Sequence, residues 1–415
     1  METLLDRFLS YVRIDTQVNE ASNSHPSTAG QKELAGLLAK ELEKLGLSNI
    51  TLNDKAYLMA EVPANTDKDL PVVGFIAHLD TSPDVSGKNV QPQIFENYDG
   101  QDLILNQAQN IILGVEQYPE LTRHIGQTII TSDGTTLLGA DNKAGVAIIM
   151  TAAASLISNP DSKHGKIVIA FTPDEEIGQG ADYFDVHAFG ADFAYTIDGG
   201  GLGELEYENF NAAIAHIDIQ GINVHPGSAC GRMKNAILLA MELNGMLPAL
   251  ERPEHTCDYE GFYHLNSLEG SVESARMTYI IRDHDRAKFE QKKAFLEDCA
   301  AKLNSKYGEA TINLQITDQY YNMREKIEPV YHIVSLAEKA MLENGINPII
   351  KPVRGGTDGA RLSFMGLPCP NLFTGGHNFH SRYEFISLES MEAAVKVIHS
   401  IVRLIEGGWR QNGRG

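Results

Sequence analysis

Cysteine, long apolar runs and basic charge are all scarce in this sequence, and each shortage excludes a class of protein. The four cysteines lie far apart, without a Cys-x-x-Cys pair, which argues against a cysteine zinc site and a disulfide framework. No run of about 18 apolar residues occurs, so we expect no membrane-spanning helix. The first residues carry acidic groups early and do not look like a signal peptide. We therefore expect a cytoplasmic protein.

The deficit of basic residues narrows the range of partners. Lysine and arginine number 34 against 55 aspartates and glutamates, which gives a net charge of −21. Such a chain repels nucleic-acid backbones and anionic membranes, so we expect neither as a partner. The charge is compatible with bound cations, although it also serves to keep a protein in solution. A length of 415 residues favours two domains, and 43% hydrophobic residues suffice for a core.

The pattern of secondary structure changes twice along the chain. Up to about residue 209, and again after residue 323, apolar strand patterns alternate with helical patterns, as in an α/β sheet. Between these segments the strands alternate apolar and polar residues, in a β-α-β-β-α-β-like order. We predict an α/β domain with a mixed sheet flanked by helices, formed by residues 1–209 and 323–415. A smaller α+β domain at residues 210–322 interrupts it.

Metal-binding residue types follow four of the predicted buried strands. They are His78 and Asp80 after residues 71–77, Glu175 and Glu176 after residues 166–171, Asp198 after residues 193–197, and His377 and His380 after residues 371–374. Asp141 precedes an alanine-rich helix, where by itself it would be interpreted as an N-cap. Ligands gather at the carboxyl ends of the strands in open α/β sheets, so this edge is the predicted site.

The chemistry of these side chains indicates a metal centre. Carboxylates and imidazoles without thiolates suit zinc, and also manganese or cobalt. Five ligands with one shared carboxylate would fit two ions about 3.5–4 Å apart. The five are His78, Asp141, Glu176, Asp198 and His380. Asp80 shares a strand face with His78 and can fix its tautomer. Glu175 and Glu176 point differently, so one can bind metal while the other accepts a proton from water.

These motifs resemble the co-catalytic dizinc peptidase family that includes carboxypeptidase G, aminoacylases and succinyl-diaminopimelate desuccinylase. The matching motifs are His78-Leu-Asp80, Gly139-Ala-Asp141, Glu175-Glu176 and Asn378-Phe-His380. Within the family, five segments resemble the aminopeptidases that act on tripeptides. These segments are His78–Ser82, Thr172–Gly178, Tyr279–Asp283, Gly355–Gly359 and Phe364–Phe373. The resemblance covers essentially the whole chain, and the order of the motifs makes it specific.

The resemblance implies a role for each residue at the strand ends. The implied ligands of two divalent ions, with zinc expected, are His78 and Asp198 at one ion, Glu176 and His380 at the other, and Asp141 at both. Glu175 would be the general base, and Asp80 would orient the first histidine. The resemblance also places the late ligand at His380 and leaves His377 as its neighbour.

The inserted domain resembles the family's lid, and residues 1–209 and 323–415 would form the catalytic domain. His225 would act on the substrate carbonyl. Arg282 and Arg354 are candidate anchors for a peptide carboxylate, because a guanidinium pairs with it bidentately, and each could equally form a surface ion pair.

The resemblance implies a metal-dependent aminopeptidase that removes the N-terminal residue of tripeptides. A related dizinc dipeptidase or N-acyl amino-acid deacylase is the alternative. A binding module without activity is disfavoured because the base and all five ligands are present. A nucleotide site at residues 199–203 is disfavoured because the Gly-x-Gly-x-x-Gly pattern is missing. We expect a small peptide as the substrate, and a homodimer is an open option.

Overall fold

The computed structural model describes residues 2–409, and the chain divides into two compact units. The larger unit comprises Met1–Tyr207, Glu325–Lys351 and Thr357–Gly415. The smaller unit comprises Glu208–Arg324 and Pro352–Gly356. The outer ends of the predicted domains, residue 1 and residues 410–415, lie outside the described residues.

The segment Pro352–Gly356 belongs to the smaller unit, whereas the sequence placed it in the α/β domain. Val353 forms a parallel bridge with Asn209, and its N–H donates to the carbonyl of Glu208. Arg354 donates to the carbonyls of Asp258 and Glu260. These long-range contacts leave no local pattern in the sequence, so the sequence pattern predicts the other domain for this segment.

The helices and strands of the described chain are numbered in chain order. The helices are α1 Leu4–Val12, α2 Ala29–Leu45, α3 Ala140–Ser158, α4 Val186–Phe189, α5 Ala236–Met246, α6 Arg286–Tyr307, α7 Arg324–Ile327, α8 His332–Glu343, α9 Asp358–Phe364 and α10 Leu388–Glu406. The strands are β1 Ser48–Leu52, β2 Leu58–Val62, β3 Val73–His78, β4 Gln93–Phe95, β5 Leu103–Asn106, β6 Ile111–Leu113, β7 Ile129–Thr131, β8 Ile167–Thr172, β9 Phe193–Gly199, β10 Glu204–Glu206, β11 Asn211–Gln220, β12 Phe262–Gly270, β13 Ser274–Asp283, β14 Ile312–Tyr320, β15 Ile349–Ile350, β16 Asn371–Phe373, β17 Gly376–His377 and β18 Phe385–Ser387.

An eight-stranded mixed sheet forms the centre of the larger unit, in the order β1-β2-β8-β3-β9-β16-β10-β15. The four central strands, β8, β3, β9 and β16, are parallel to one another. Strand β2 runs antiparallel to both of its neighbours, whereas β10 is antiparallel to β16 and parallel to β15. Every residue of β3 and β8 is buried, as expected for parallel strands covered on both faces. The predicted mixed sheet is confirmed.

Helices cover both faces of this sheet, because successive side chains of a strand point to opposite sides. On one face Ile76 of β3 packs with Phe189 of α4 and Leu362 of α9. On the other face Phe75 lines a small internal space together with Ile149 of α3 and Ile398 of α10. Most residues of α3 are buried around its whole circumference, which makes it a core helix.

The smaller unit is a four-stranded antiparallel sheet in the order β12-β13-β11-β14, with α5 and α6 contributing to its core. Along β11, Ala215 and Ile217 are buried while His216 and Asp218 are exposed, so the predicted alternation holds. The chain order β11-α5-β12-β13-α6-β14 confirms the β-α-β-β-α-β pattern. The sequence did not locate β12, an edge strand with mostly exposed residues and hence little apolar periodicity.

Within the described residues 2–409, no helix is both long and apolar enough to cross a membrane.

Candidate metal centre and active site

The candidate site lies at the carboxyl ends of the central parallel strands of the larger unit. His78 is the last residue of β3, and Asp198 lies near the end of β9. A short 3-10 helix, Glu175–Ile177, follows β8 and carries the two adjacent glutamates. Parallel strands end at the same edge of a sheet, so residues distant in sequence meet there.

The turn before α3 delivers Asp141 to the same edge. Gly139 has a φ of +83°, in the left-handed region that favours glycine. Asp141 itself has non-helical angles, and regular helix begins only after Asn142. The capping role expected of Asp141 falls to Asn142, whose Oδ1 accepts from the N–H of Gly145 at 3.2 Å. The Asp141 carboxylate is therefore left to face the two histidines.

The five predicted ligands form two groups that share Asp141. His78, Asp141 and Asp198 form one group, and Asp141, Glu176 and His380 the other, each with ligand atoms within 4.8 Å of one another. The shared carboxylate presents one oxygen to each group. Its Oδ1 lies 2.9 Å from His78 Nε2, and its Oδ2 lies 3.2 Å from His380 Nε2.

The remaining ligands approach the same histidine nitrogens. Asp198 Oδ1 lies 3.3 Å from His78 Nε2, and Glu176 Oε2 lies 3.0 Å from His380 Nε2. Each histidine turns its other ring nitrogen to an aspartate outside the two groups. His78 Nδ1 lies 3.1 Å from the backbone carbonyl oxygen of Asp80 and 3.4 Å from its Oδ1.

Asp80 joins the two strand ends that carry the histidine and the glutamates. Its side chain is fully buried, and beside His78 it also accepts two backbone hydrogen bonds. The N–H of Glu175 donates to Oδ1 at 3.1 Å, and the N–H of Glu176 donates to Oδ2 at 3.0 Å. Asp80 therefore contacts both the imidazole of His78 and the turn that carries the two glutamates.

Electrostatics at the site reflect several carboxylates held close together away from water. Burial, reinforced by Asp141, raises the pKa of Glu176 to about 7, and burial also raises the pKa of Asp198. Burial raises the pKa of Glu175 well above its usual range. For Asp141 burial acts in the same direction, but hydrogen bonds from His380 and His78 outweigh it and lower its pKa.

The donor set fits divalent cations. Oε1 of Glu176 is buried and has no hydrogen-bond partner among the described residues, and Asp141 offers an oxygen to each group. Carboxylates that repel one another in a buried site are stabilised by a cation, and imidazole with carboxylate is a zinc-type ligand set. The residues that would hold two ions are those of the two ligand groups above.

His377, the other histidine of the late motif, lies away from both groups. Its Nε2 is 3.2 Å from Nε2 of His124, and its ring stacks on Phe385. Burial lowers the pKa of His377 to about 4, which favours the neutral imidazole. The structure thus brings His380, and not His377, to the ligand groups.

The three predicted substrate-binding residues all lie in the smaller unit. His225 is exposed, and its Nδ1 accepts from the N–H of Gly227 at 3.1 Å, so the neutral ring carries its proton on Nε2. Arg282 donates to the carbonyls of Ala213 and Ile281. Arg354 donates to carbonyls of the same unit, as described above. Both arginines therefore have intramolecular partners, which the sequence did not predict.

Four carboxylates that the sequence did not single out support the ligand-bearing segments. Asp174 accepts hydrogen bonds from Ser27 and Gln31, and Asp358 accepts one from the Thr172 hydroxyl at 2.7 Å. Oδ2 of Asp84 lies 3.2 Å from His380 Nδ1. Glu384 accepts from three backbone N–H groups in the turn that leads into α3. Asp174 and Asp358 lie inside Thr172–Gly178 and Gly355–Gly359, two of the segments that resemble the family, so this resemblance could have pointed to them. Glu384 lies in none, so no motif pointed to it.

The profile of Peptidase family M20/M25/M40 matches residues 133–404 of this chain. The chain belongs to this family and is a hydrolase that acts on peptide bonds. Among its relatives is Peptidase T of Clostridium novyi, 60% identical over 404 residues, which cover 97% of this chain and 99% of that protein.

Solved structures with the same fold are more distant in sequence. Aminopeptidase PepT from Bacillus cereus superimposes with a TM-score of 0.77 at 22% identity, over 97% of this chain and 98% of that one. A tripeptidase from Staphylococcus aureus gives 0.78 at 20% identity, over 97% of both chains. Bacillus subtilis YXEP, described as a dinuclear metal-binding peptidase of family M20, gives 0.64 at 14% identity, over 97% and 98%. These likenesses establish the fold.

Proposed function

We propose that this protein is a metal-dependent aminopeptidase that removes the N-terminal residue of tripeptides. The observation that carries the proposal is the pair of ligand groups sharing Asp141, beside a glutamate that belongs to neither group. The names of the related proteins, Peptidase T, aminopeptidase PepT and tripeptidase, support the same substrate class.

Two divalent metal ions, zinc by preference, would complete the site and, when bound, would supply Lewis-acid activation of water and of the scissile carbonyl. The dinuclear metal-binding relative supports this assignment. His78 and Asp198 would hold one ion, Glu176 and His380 the other, and Asp141 both.

Glu175 acts as the general base in this proposal. Its carboxylate accepts a proton from the attacking water and passes it to the leaving amine, so that one water molecule is consumed for each peptide bond cleaved. The Asp80 carboxylate accepts a hydrogen bond from the backbone N–H of Glu175 at 3.1 Å and thereby stabilises the turn that carries the base. His225 would donate its Nε2–H to the carbonyl oxygen as negative charge develops there.

Recognition of tripeptides requires contacts with both ends of the substrate. The free amine suits the carboxylates of the acidic site, and the terminal carboxylate needs a cation at a fixed distance. The smaller unit would act as a lid that supplies this cation, with Arg282 as first candidate and Arg354 as second. A cytoplasmic location and a homodimer stay predictions of the same proposal.

The test is an activity screen of zinc-loaded protein against dipeptides, tripeptides, tetrapeptides and N-acyl amino acids. We expect tripeptides to have the highest kcat/KM, with the N-terminal amino acid as first product. Preference for dipeptides or for N-acyl amino acids would instead favour the dipeptidase or deacylase alternative.

The anchor is tested by comparing a tripeptide with its C-terminal amide. Wild type should prefer the free carboxylate, and Arg282→Ala should erode that preference by about ten- to a hundred-fold in kcat/KM, the value of a charged hydrogen bond. His225→Ala should lower kcat and leave KM nearly unchanged. If Arg282→Ala keeps the preference, the anchor lies elsewhere and Arg354→Ala is the next variant.

A further inference from the structure

A buried carboxylate outside both ligand groups joins the segments that carry two of the ligands. Glu384 is 1% exposed and follows His380 closely in the chain, just before β18. Its Oε2 accepts from the N–H groups of Leu138 at 2.8 Å and Gly139 at 2.7 Å. Its Oε1 accepts from the N–H of Asp141 at 3.0 Å. Glu384 therefore connects the segment of His380 to the turn that presents Asp141.

The chemistry of this contact requires a carboxylate. A buried charge is costly unless it is fully hydrogen-bonded, and here backbone donors reach both oxygens. The positive end of the α3 helix dipole lies at the same turn and adds attraction for the anion. All three partners are donors, so a glutamine in place of Glu384 would turn its NH₂ group towards at least one N–H. The site is therefore selective for an acceptor on both atoms.

The two segments that Glu384 joins meet again at the ligands themselves. Asp141 Oδ2 lies 3.2 Å from His380 Nε2, on the half of the site that also contains Glu176. Ligands on two separate segments bind one ion tightly only if their spacing is fixed in advance, and residues behind the ligands provide this.

We propose that Glu384 is a positioning residue that sets the spacing between Asp141 and His380 for binding of a shared metal ion. This inference rests on the proposed function, because it takes these two residues as ligands. Glu384 contacts neither substrate nor metal in this arrangement and acts only through the backbone of the Asp141 turn.

The test is zinc titration by calorimetry of metal-free protein, comparing wild type, Glu384→Gln and a matched control. Glu389→Gln is the control, because Glu389 also accepts a backbone hydrogen bond, from Thr128 at 2.9 Å, on the same stretch of chain. Within residues 2–409, the hydrogen bonds described for Glu389 come from Thr128 and Ser387, neither of which is a proposed ligand or part of the Asp141 turn. Glu384→Gln should weaken one of two zinc-binding steps by about 10- to 100-fold. The other step should change less, because His78 and Asp198 are untouched, and Glu389→Gln should bind both ions like wild type.

Hydrogen exchange of the metal-free proteins gives a second readout. The amides of Leu138, Gly139 and Asp141 should exchange faster in Glu384→Gln than in wild type, and at the wild-type rate in the control. Normal zinc binding or unchanged exchange in a folded Glu384→Gln overturns the inference. If wild type itself binds fewer than two ions, the proposed function fails, and the amide exchange still decides whether Glu384 holds this turn.

If Glu384→Gln does not fold, Glu384→Asp takes its place. The shorter side chain keeps the charge but cannot reach all three N–H groups, so one zinc-binding step should weaken by less than in the glutamine variant. Zinc affinity equal to that of wild type in Glu384→Asp would also overturn the inference.

Discussion

The histidines in the two halves of the candidate metal centre have similar partners but opposite exposure to solvent. In each half a histidine points Nε2 at the shared Asp141 and Nδ1 at a further aspartate. His78 is 2% exposed and faces the fully buried Asp80, whereas the side chain of His380 is 40% exposed and faces Asp84, which is 63% exposed. His78 and Asp80 are therefore enclosed by protein, whereas solvent reaches His380 and Asp84. The difference is confined to these pairs, because Glu176 and Asp198 are both largely buried, with 6% and 10% of their side chains exposed.

Replacement of Asp141, the proposed shared ligand, should have the largest effect, because it eliminates the link between the two halves. We expect Asp141→Ala to lose activity below detection and to bind less than one equivalent of zinc after reconstitution. Elemental analysis measures the zinc content, and a tripeptide assay measures the activity. The control is Asp67→Ala, which replaces an exposed residue. An active Asp141→Ala protein would show that no ion needs the bridging carboxylate.

Replacement of Glu175, the proposed general base, should lower the rate of peptide cleavage without lowering metal binding. Glu175→Gln keeps the shape of the side chain and should lower kcat by about 10²–10⁴-fold, the usual contribution of general-base catalysis. Its metal content should stay at the wild-type level, since Glu175 belongs to neither ligand group. If Glu175→Gln loses metal while Glu176→Gln retains it, the roles of the two glutamates are reversed.

The carboxylates behind the two histidines offer a direct test of the contrast between the halves. Asp80→Asn should weaken zinc binding by about 10- to 100-fold, because its buried carboxylate lies 3.4 Å from His78 Nδ1 and accepts from the N–H groups of both Glu175 and Glu176. Asp84→Asn should have a clearly smaller effect, because water can replace an exposed partner. Equal losses in calorimetric titration would mean that exposure does not distinguish the two halves.

The pH dependence of stability should change sign when metal binds. Burial raises the pKa of Glu176 to about 7 from its usual 4.5, so the metal-free native state holds a proton that the unfolded chain releases. The stability of the metal-free protein should therefore fall as pH rises from about 5 to 7. Burial lowers the pKa of His380, but hydrogen bonds to Asp141 and Glu176 outweigh burial and raise this pKa to about 11. The native state therefore also keeps a proton on His380 that the unfolded chain releases, so the stability of the metal-free protein continues to fall above about pH 6.5.

Metal binding requires deprotonated ligands, so the loaded native state binds fewer protons than the unfolded chain over the same range. Its stability should rise from pH 5 to 7. Denaturant unfolding of chelator-treated and zinc-loaded protein at both pH values measures the two slopes. Parallel slopes would argue against Glu176 and His380 as ligands.

Much of the architecture was predictable from the sequence, because the burial of a strand determines the apolar pattern of its own residues. Buried parallel strands such as β3 and β8 appear as continuous apolar runs, and the residues that follow each run occupy one edge of the sheet. The alternation along β11 likewise indicated an antiparallel sheet with one exposed face. The edge strand β12 was not located, because its exposed residues carry no such period.

The sequence by itself determined the types of the candidate ligands and their placement at strand ends, because both depend on neighbours within a few residues. Only the tertiary structure decided which carboxylates hold the ligand-bearing segments. Glu384 accepts from the amide of Leu138, 246 positions away, and Asp174 accepts from Gln31, 143 positions away. The tertiary structure also decided that Arg282 and Arg354 donate hydrogen bonds to backbone carbonyls. A buried charge is stabilised by whichever donors the fold brings to it, and those donors lie too far along the chain to leave a pattern.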